Sequence, residues 1–133
     1  MQTFIAQPKL RGISHFLMFF VSIIACTFLI FKSTNTTEFL STSIYSFGVL
    51  AMFGFSALYH RKKASVLIKQ RLRKLDHTGI FLMIAGTFTP MCLLSLPIES
   101  GTKLLIIIWS VAVIGIIQSI FFSKIHRLLS CLL

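Results

Sequence analysis

Four stretches of this chain are each long and apolar enough to cross a bilayer, and that feature restricts its fold more than any other. A helix needs about 20 apolar residues to cross about 30 Å of hydrocarbon. The runs cover approximately residues 13–31, 43–59, 78–96 and 104–122. In lipid, only helices and closed barrels satisfy every backbone N–H and C=O. These runs are continuous rather than alternating, which selects helices. The expected fold is therefore an all-α integral membrane protein with four transmembrane helices, forming a single membrane domain over residues 1–133. The first run is too long for the core of a cleaved signal peptide, and no small-residue cleavage site follows it.

Composition agrees. Hydrophobic residues make up 56% of the chain, charged residues 12%, and the mean hydropathy is +0.90; a soluble domain carries about 25% charged residues. The net charge is +10. Those cations flank apolar runs, which points to lipid headgroups and membrane topology rather than to nucleic acid. Cys26, Cys92 and Cys131 include no CxxC pair. They read as small buried hydrophobes, not as a disulfide framework or a metal site.

Lys and Arg set the expected orientation. Lys9 and Arg11 precede the first run; Arg61, Lys62, Lys63, Lys69, Arg71, Arg73 and Lys74 follow the second; Lys124 and Arg127 follow the fourth. The other two connections hold Lys32 with Glu38, and Lys103 with Glu99. One alternating topology puts 11 of the 13 basic residues on a single side. The positive-inside rule makes that side cytoplasmic, with the N-terminus inside. The 61–74 segment reads as a basic loop that fixes topology and meets anionic headgroups.

Smaller signals refine the picture. Pro97 closes the third span, and Pro90 inside it removes an N–H and frees a carbonyl near Gly86, which predicts a kink with Thr87 and Thr89 close enough to bond freed carbonyls. Gly48, Gly54 and Gly86 permit close helix contact. Trp109 is expected in an aromatic belt near the outer end of the fourth span, and His15 and His126 at the interfaces. The carboxylates Glu38, Asp76 and Glu99 all fall at span edges or in loops. No intramembrane acid is present to relay protons, as a small proton-coupled antiporter would need.

Ser56, His60, Asp76 and His77 form the polar group of most chemical interest. Ser56 and His60 are four apart and share a helix face. His60 is expected to end the second helix, and Asp76 with His77 to open the third, at one depth on one side. Imidazole nitrogen plus a carboxylate that holds a ligand or a bound water is a zinc-type donor set. Two plainer readings remain open: an interfacial histidine touching headgroups, and Asp76 as the N-cap of the third helix.

Phe55-Ser56-Ala57-Leu58-Tyr59-His60, a basic segment, then Arg73-Lys74-Leu75-Asp76-His77-Thr78-Gly79-Ile80-Phe81 and Ile84-Ala85-Gly86-Thr87-Phe88-Thr89-Pro90 together resemble the hemolysin III family, within the superfamily of progestin and adipoQ receptors. Ile13-Ser14-His15 resembles the family's entry to its first helix. The resemblance implies the N-terminal part of a seven-helix bundle with a zinc ion near the cytoplasmic side. His60 would be a ligand, Asp76 would orient a zinc-bound water, and Ser56 would stand beside them. It also implies two ligand histidines in an HxxxH pattern on the seventh helix. This sequence has no HxxxH and stops at Ser130-Cys131-Leu132-Leu133, so the expected chain is C-terminally truncated relative to the family.

Three functions follow as expectations. The first is a zinc-dependent hydrolase of a lipid amide, in which the metal activates water and polarises the carbonyl with Asp76 as base. The second is a membrane-permeabilising, cytolytic protein forming or disturbing a pore. The third is an inactive truncated membrane protein. The expected location is the plasma (cell inner) membrane.

Overall fold

The structure, a computed structural model, describes residues 9–121. It contains four long helices: α1 (Lys9–Phe31), α2 (Thr36–Arg61), α3 (Val66–Pro90) and α4 (Ile98–Phe121). A π-helical turn, Met91–Ser95, continues α3 without a break. All four meet the length and composition needed to span a membrane.

Each helix begins before its apolar run, because hydropathy marks the hydrocarbon while helical hydrogen bonding extends beyond it. α2 starts at Thr36, seven residues before its expected start at Ser43. Asn35 caps it by accepting from the Glu38 N–H at 2.9 Å, and Glu38 Oε2 accepts from the Thr34 N–H at 2.8 Å. This reciprocal pair is close to a capping box.

The basic segment is mostly helix rather than loop. Only residues 62–65 connect α2 to α3, and Lys69, Arg71, Arg73 and Lys74 lie within α3. Nothing between Ser65 and Asp76 breaks a helix: the residues are Val, Leu, Ile, Lys, Gln and Arg, mostly good helix formers. With the π turn the helical segment is 30 residues long. At 1.5 Å per residue that is about 45 Å, well beyond a 30 Å core.

The helices pack in chain order: α1 against α2, α2 against α3, α3 against α4, with the π turn against α4 and α2. Among the described residues α1 has no packing contact with α4. The row is thus open.

Its interior is small and polar, its exterior large and apolar. Fully buried side chains include Ser41, Ser56, Thr89 and Cys92, while Ile24, Phe28 and Ile106 are well exposed. Such an inverted distribution suits lipid, where large apolar groups need no shelter and close backbone approach supplies the cohesion. Gly48, Gly79 and Gly86 line the α2–α3 seam, and Gly101 brings α4 against the Cys92 carbonyl. A Cβ at Gly48 would lie 2.7 Å from the Leu82 carbonyl oxygen, and one at Gly86 would lie 3.5 Å from Gly48 Cα.

Pro90 acts through the π turn that begins right after it. Thr87 Oγ1 donates to the Met83 carbonyl at 2.8 Å and Thr89 Oγ1 to the Ala85 carbonyl at 2.7 Å, so neither hydroxyl serves Gly86. Leu96 before Pro97 is extended, with φ −106° and ψ 154°, as the residue before proline prefers. The expected closure at Leu96-Pro97 is what the structure shows.

Trp109 lies near the middle of α4, because that helix starts at Ile98, six residues before the apolar run. Its indole Nε1–H donates to Thr89 Oγ1 at 3.1 Å. Removing that acceptor while keeping shape, with Thr89→Val, should cost about 1 kcal/mol. It should also move the emission of this single tryptophan to shorter wavelength. An unchanged spectrum and unchanged unfolding midpoint would contradict the bond.

Candidate functional site

The polar group sits where the ends of α1 and α2 meet the first half of α3. Gly12 lets α1 lie against the last turn of α2: a Cβ there would be 3.0 Å from His60 Cβ. One turn further along α1, the Arg61 guanidinium stacks on the Phe16 ring, 3.9 Å from its centroid. His15 meets Phe53 edge to face, with centroids 5.6 Å apart. His60 is half-buried and touches the Tyr59 ring.

Ser56 is the unusual member. It is 1% exposed, and its Oγ has no hydrogen-bond partner among the described residues. Several helical hydroxyls elsewhere in this protein bond back to their own turn, Thr42 and Ser43 in α2, Thr87 and Thr89 in α3, and Ser110 in α4, whereas Ser46 in α2 is, like Ser56, buried without a partner among the described residues. That back-bond is the ordinary way to satisfy a buried hydroxyl in a helix. Ser56 forgoes it, leaving a donor and an acceptor on the His60 face. His15 Nδ1 and Thr78 Oγ1 are likewise shielded without a partner.

Asp76 is not where expected. It lies ten residues inside α3, whose N-cap is Ser65, so it neither caps nor opens that helix. Contacts between α2 and α3 fix its level. Gly79 lies against Ala51 and Met52, and Gly48 against Leu82 and Met83. In this antiparallel register Asp76 comes level with Phe55, next to Ser56. His60 lies five residues further along α2, about 7 Å along the axis. The expected common depth of His60 and Asp76 is thus replaced by a staggered arrangement, with Ser56 and Asp76 on one level and His60 a turn beyond. Asp76 is half-buried whereas His77 is exposed, so the two neighbours face different surroundings.

His15, expected at an interface, is half-buried and packs on Phe53 beside this group. A sequence signal existed: Gly12, three residues earlier on the same face, permits the close α1–α2 approach. His126 and Cys131 lie outside the described residues, as do Lys124 and Arg127.

A zinc centre finds only part of its donor set here. Among the described residues no three His, Cys, Asp or Glu side chains come together to hold a metal ion. His60 supplies an imidazole and Ser56 an uncommitted hydroxyl, but a catalytic zinc normally has three protein ligands. These residues alone do not complete the site.

Comparison with known proteins places the chain. Residues 4–133 match the family model described as Haemolysin-III related. The chain is 37% identical over 132 residues to the Hemolysin-3 homolog of Bacillus subtilis (strain 168), covering 95% of this chain and 60% of that protein. It is 33% identical over 127 residues to Hemolysin-3 of Bacillus cereus, covering 93% of this chain and 58% of that protein. The chain therefore spans about 60% of the length of these relatives. No solved structure matches it. With four span-capable helices in a row and a match along nearly its whole length, the chain is a multi-pass membrane protein that belongs to the hemolysin III family.

Proposed function

We propose that this chain supplies the histidine ligand and the polar positioning residues of a zinc-dependent hydrolase centre acting on a lipid amide, at the cytoplasmic ends of α1 to α3. The observation that carries the reading is Ser56: fully buried, without a hydrogen bond, and one turn from His60. A buried hydroxyl left without a partner costs stability, so retaining one beside an imidazole and level with a carboxylate fits a ligand-facing position. His60 is the candidate ligand. Asp76 is the candidate acceptor for a water proton, and Ser56 orients what lies between them. A complete catalytic zinc centre would need further protein ligands beside His60.

The test is metal affinity rather than turnover. Purified protein is titrated with Zn²⁺, with Co²⁺ absorption as a second readout. His60→Ala should weaken binding at least about 10-fold, and Ser56→Ala should weaken it less. His77→Ala should leave it unchanged, since that side chain is exposed on another face. Equal affinity in wild type and His60→Ala, or no binding in wild type, would overturn the assignment for this chain.

The second reading, membrane permeabilisation, draws on the names of the two relatives, both called Hemolysin-3 or its homolog. In this chain the buried hydroxyls of α2 pack against neighbouring helices, which gives that reading less to work with than the His60 group gives the first.

A further inference from the structure

The end of the molecule where α2 passes into α3 carries a dense, uncompensated positive surface. Arg61, Lys62, Lys63, Arg71 and Arg73 are all exposed. From residue 61 to residue 75 there is no Asp or Glu. Three cations nearby are committed to the fold. Arg61 stacks on Phe16, Lys69 Nζ donates to the Tyr59 carbonyl at 2.5 Å, and Lys74 Nζ donates to the Ile120 carbonyl at 2.6 Å. Lys62, Lys63, Arg71 and Arg73 make no ion pair among the described residues.

Beside these four cations the first turn of α3 exposes Val66, Leu67 and Ile68, with Val66 68% exposed. A surface meant only for water or for a soluble polyanion gains nothing from three adjacent exposed aliphatics. A surface lying in a headgroup layer does: cations meet phosphates while aliphatic side chains dip toward the acyl boundary. Helix length gives the same placement. The 30-residue helical segment exceeds the hydrocarbon by about ten residues, and its basic, N-terminal end is the part whose sequence suits the interface.

We infer that the 62–73 surface, formed by the short α2–α3 connection and the first turns of α3, is a docking face for anionic phospholipid, with Lys62, Lys63, Arg71 and Arg73 as the phosphate-binding groups and Val66 to Ile68 as the apolar edge. It is an extended headgroup-layer surface, made as much by helix as by loop. It is independent of the metal reading, because none of these residues belongs to the His60 group.

The test is lipid retention by native mass spectrometry. Protein in detergent micelles is titrated with phosphatidylglycerol or with phosphatidylcholine of the same chain length. Wild type should retain the anionic lipid preferentially at low salt, and 500 mM NaCl should reduce that preference severalfold. Lys62→Gln/Lys63→Gln should lower phosphatidylglycerol affinity about 25-fold, at about fivefold per cation. The far-end pair Lys32→Gln/Lys103→Gln should leave it unchanged. Adding inorganic phosphate at matched ionic strength should not displace the lipid. Equal retention of both lipids by wild type would overturn the proposal, as would equal losses in the two double variants. Displacement by phosphate alone would overturn the lipid assignment in favour of a simple anion site. The wild-type salt series tests the idea even if a charge variant fails to insert.

Discussion

Gly48→Leu is expected to lower the stability of the α2–α3 pair by about 3 kcal/mol, the upper part of the usual range for overpacking. Its Cβ alone would press on the Leu82 carbonyl oxygen at 2.7 Å and on Met83 Cα at 3.2 Å. Both are backbone atoms of a hydrogen-bonded helix and cannot rotate away. Relief requires moving α3 as a body, which would also open the Gly86–Ile44 and Gly79–Met52 contacts along the same seam. Gly54→Ala makes the control. Its new Cβ would meet the Phe19 ring at 3.0 Å, and that side chain can shift. Unfolding in mixed micelles, followed by helix content, should show a large drop for Gly48→Leu and a small one for Gly54→Ala. Equal midpoints for the two variants would mean that this seam does not carry the packing.

The second large effect concerns sidedness. A reporter enzyme active only outside the cytoplasm, fused after Lys63, should be silent; the same reporter after Leu96 should be active. The charge distribution demands it, since the α2–α3 stretch carries seven basic residues and the α3–α4 stretch a single Lys103 that is already paired with Glu99. Replacing all seven by Gln should erase the bias and give mixed orientation. Like signals from both fusions would refute the alternating arrangement, and the cytoplasmic placement of the His60 group would fall with it.

The number and order of the helices were readable from the sequence, because an apolar run of bilayer length has few other uses. Their ends were not. Asn35 and Glu38 carry a capping signal outside the apolar run of α2, and the Val66–Leu75 stretch is too charged for hydropathy to count yet is made of good helix formers. From that single misjudged boundary came the error over Asp76, which changed from a helix opener to an interior residue. The close pairing of Ser56 and His60 follows from i, i+4 spacing and needed no structure. What spacing could not reveal is that Ser56 forgoes its back-bond, that His15 packs on Phe53, or that Asp76 is offset from His60 by about a turn. Those depend on helix register, which glycine contacts set and a single sequence does not display.

The small, hydroxyl-rich seams between these helices have a thermodynamic consequence. In a soluble domain, unfolding wets apolar surface, and the resulting heat-capacity change bends the stability curve into a dome. Here the large aliphatic and aromatic side chains already face outward, and parting the helices within lipid would bring little of that surface to water. The free energy of helix separation should therefore vary almost linearly with temperature, with no maximum near ambient conditions and no tendency to come apart in the cold.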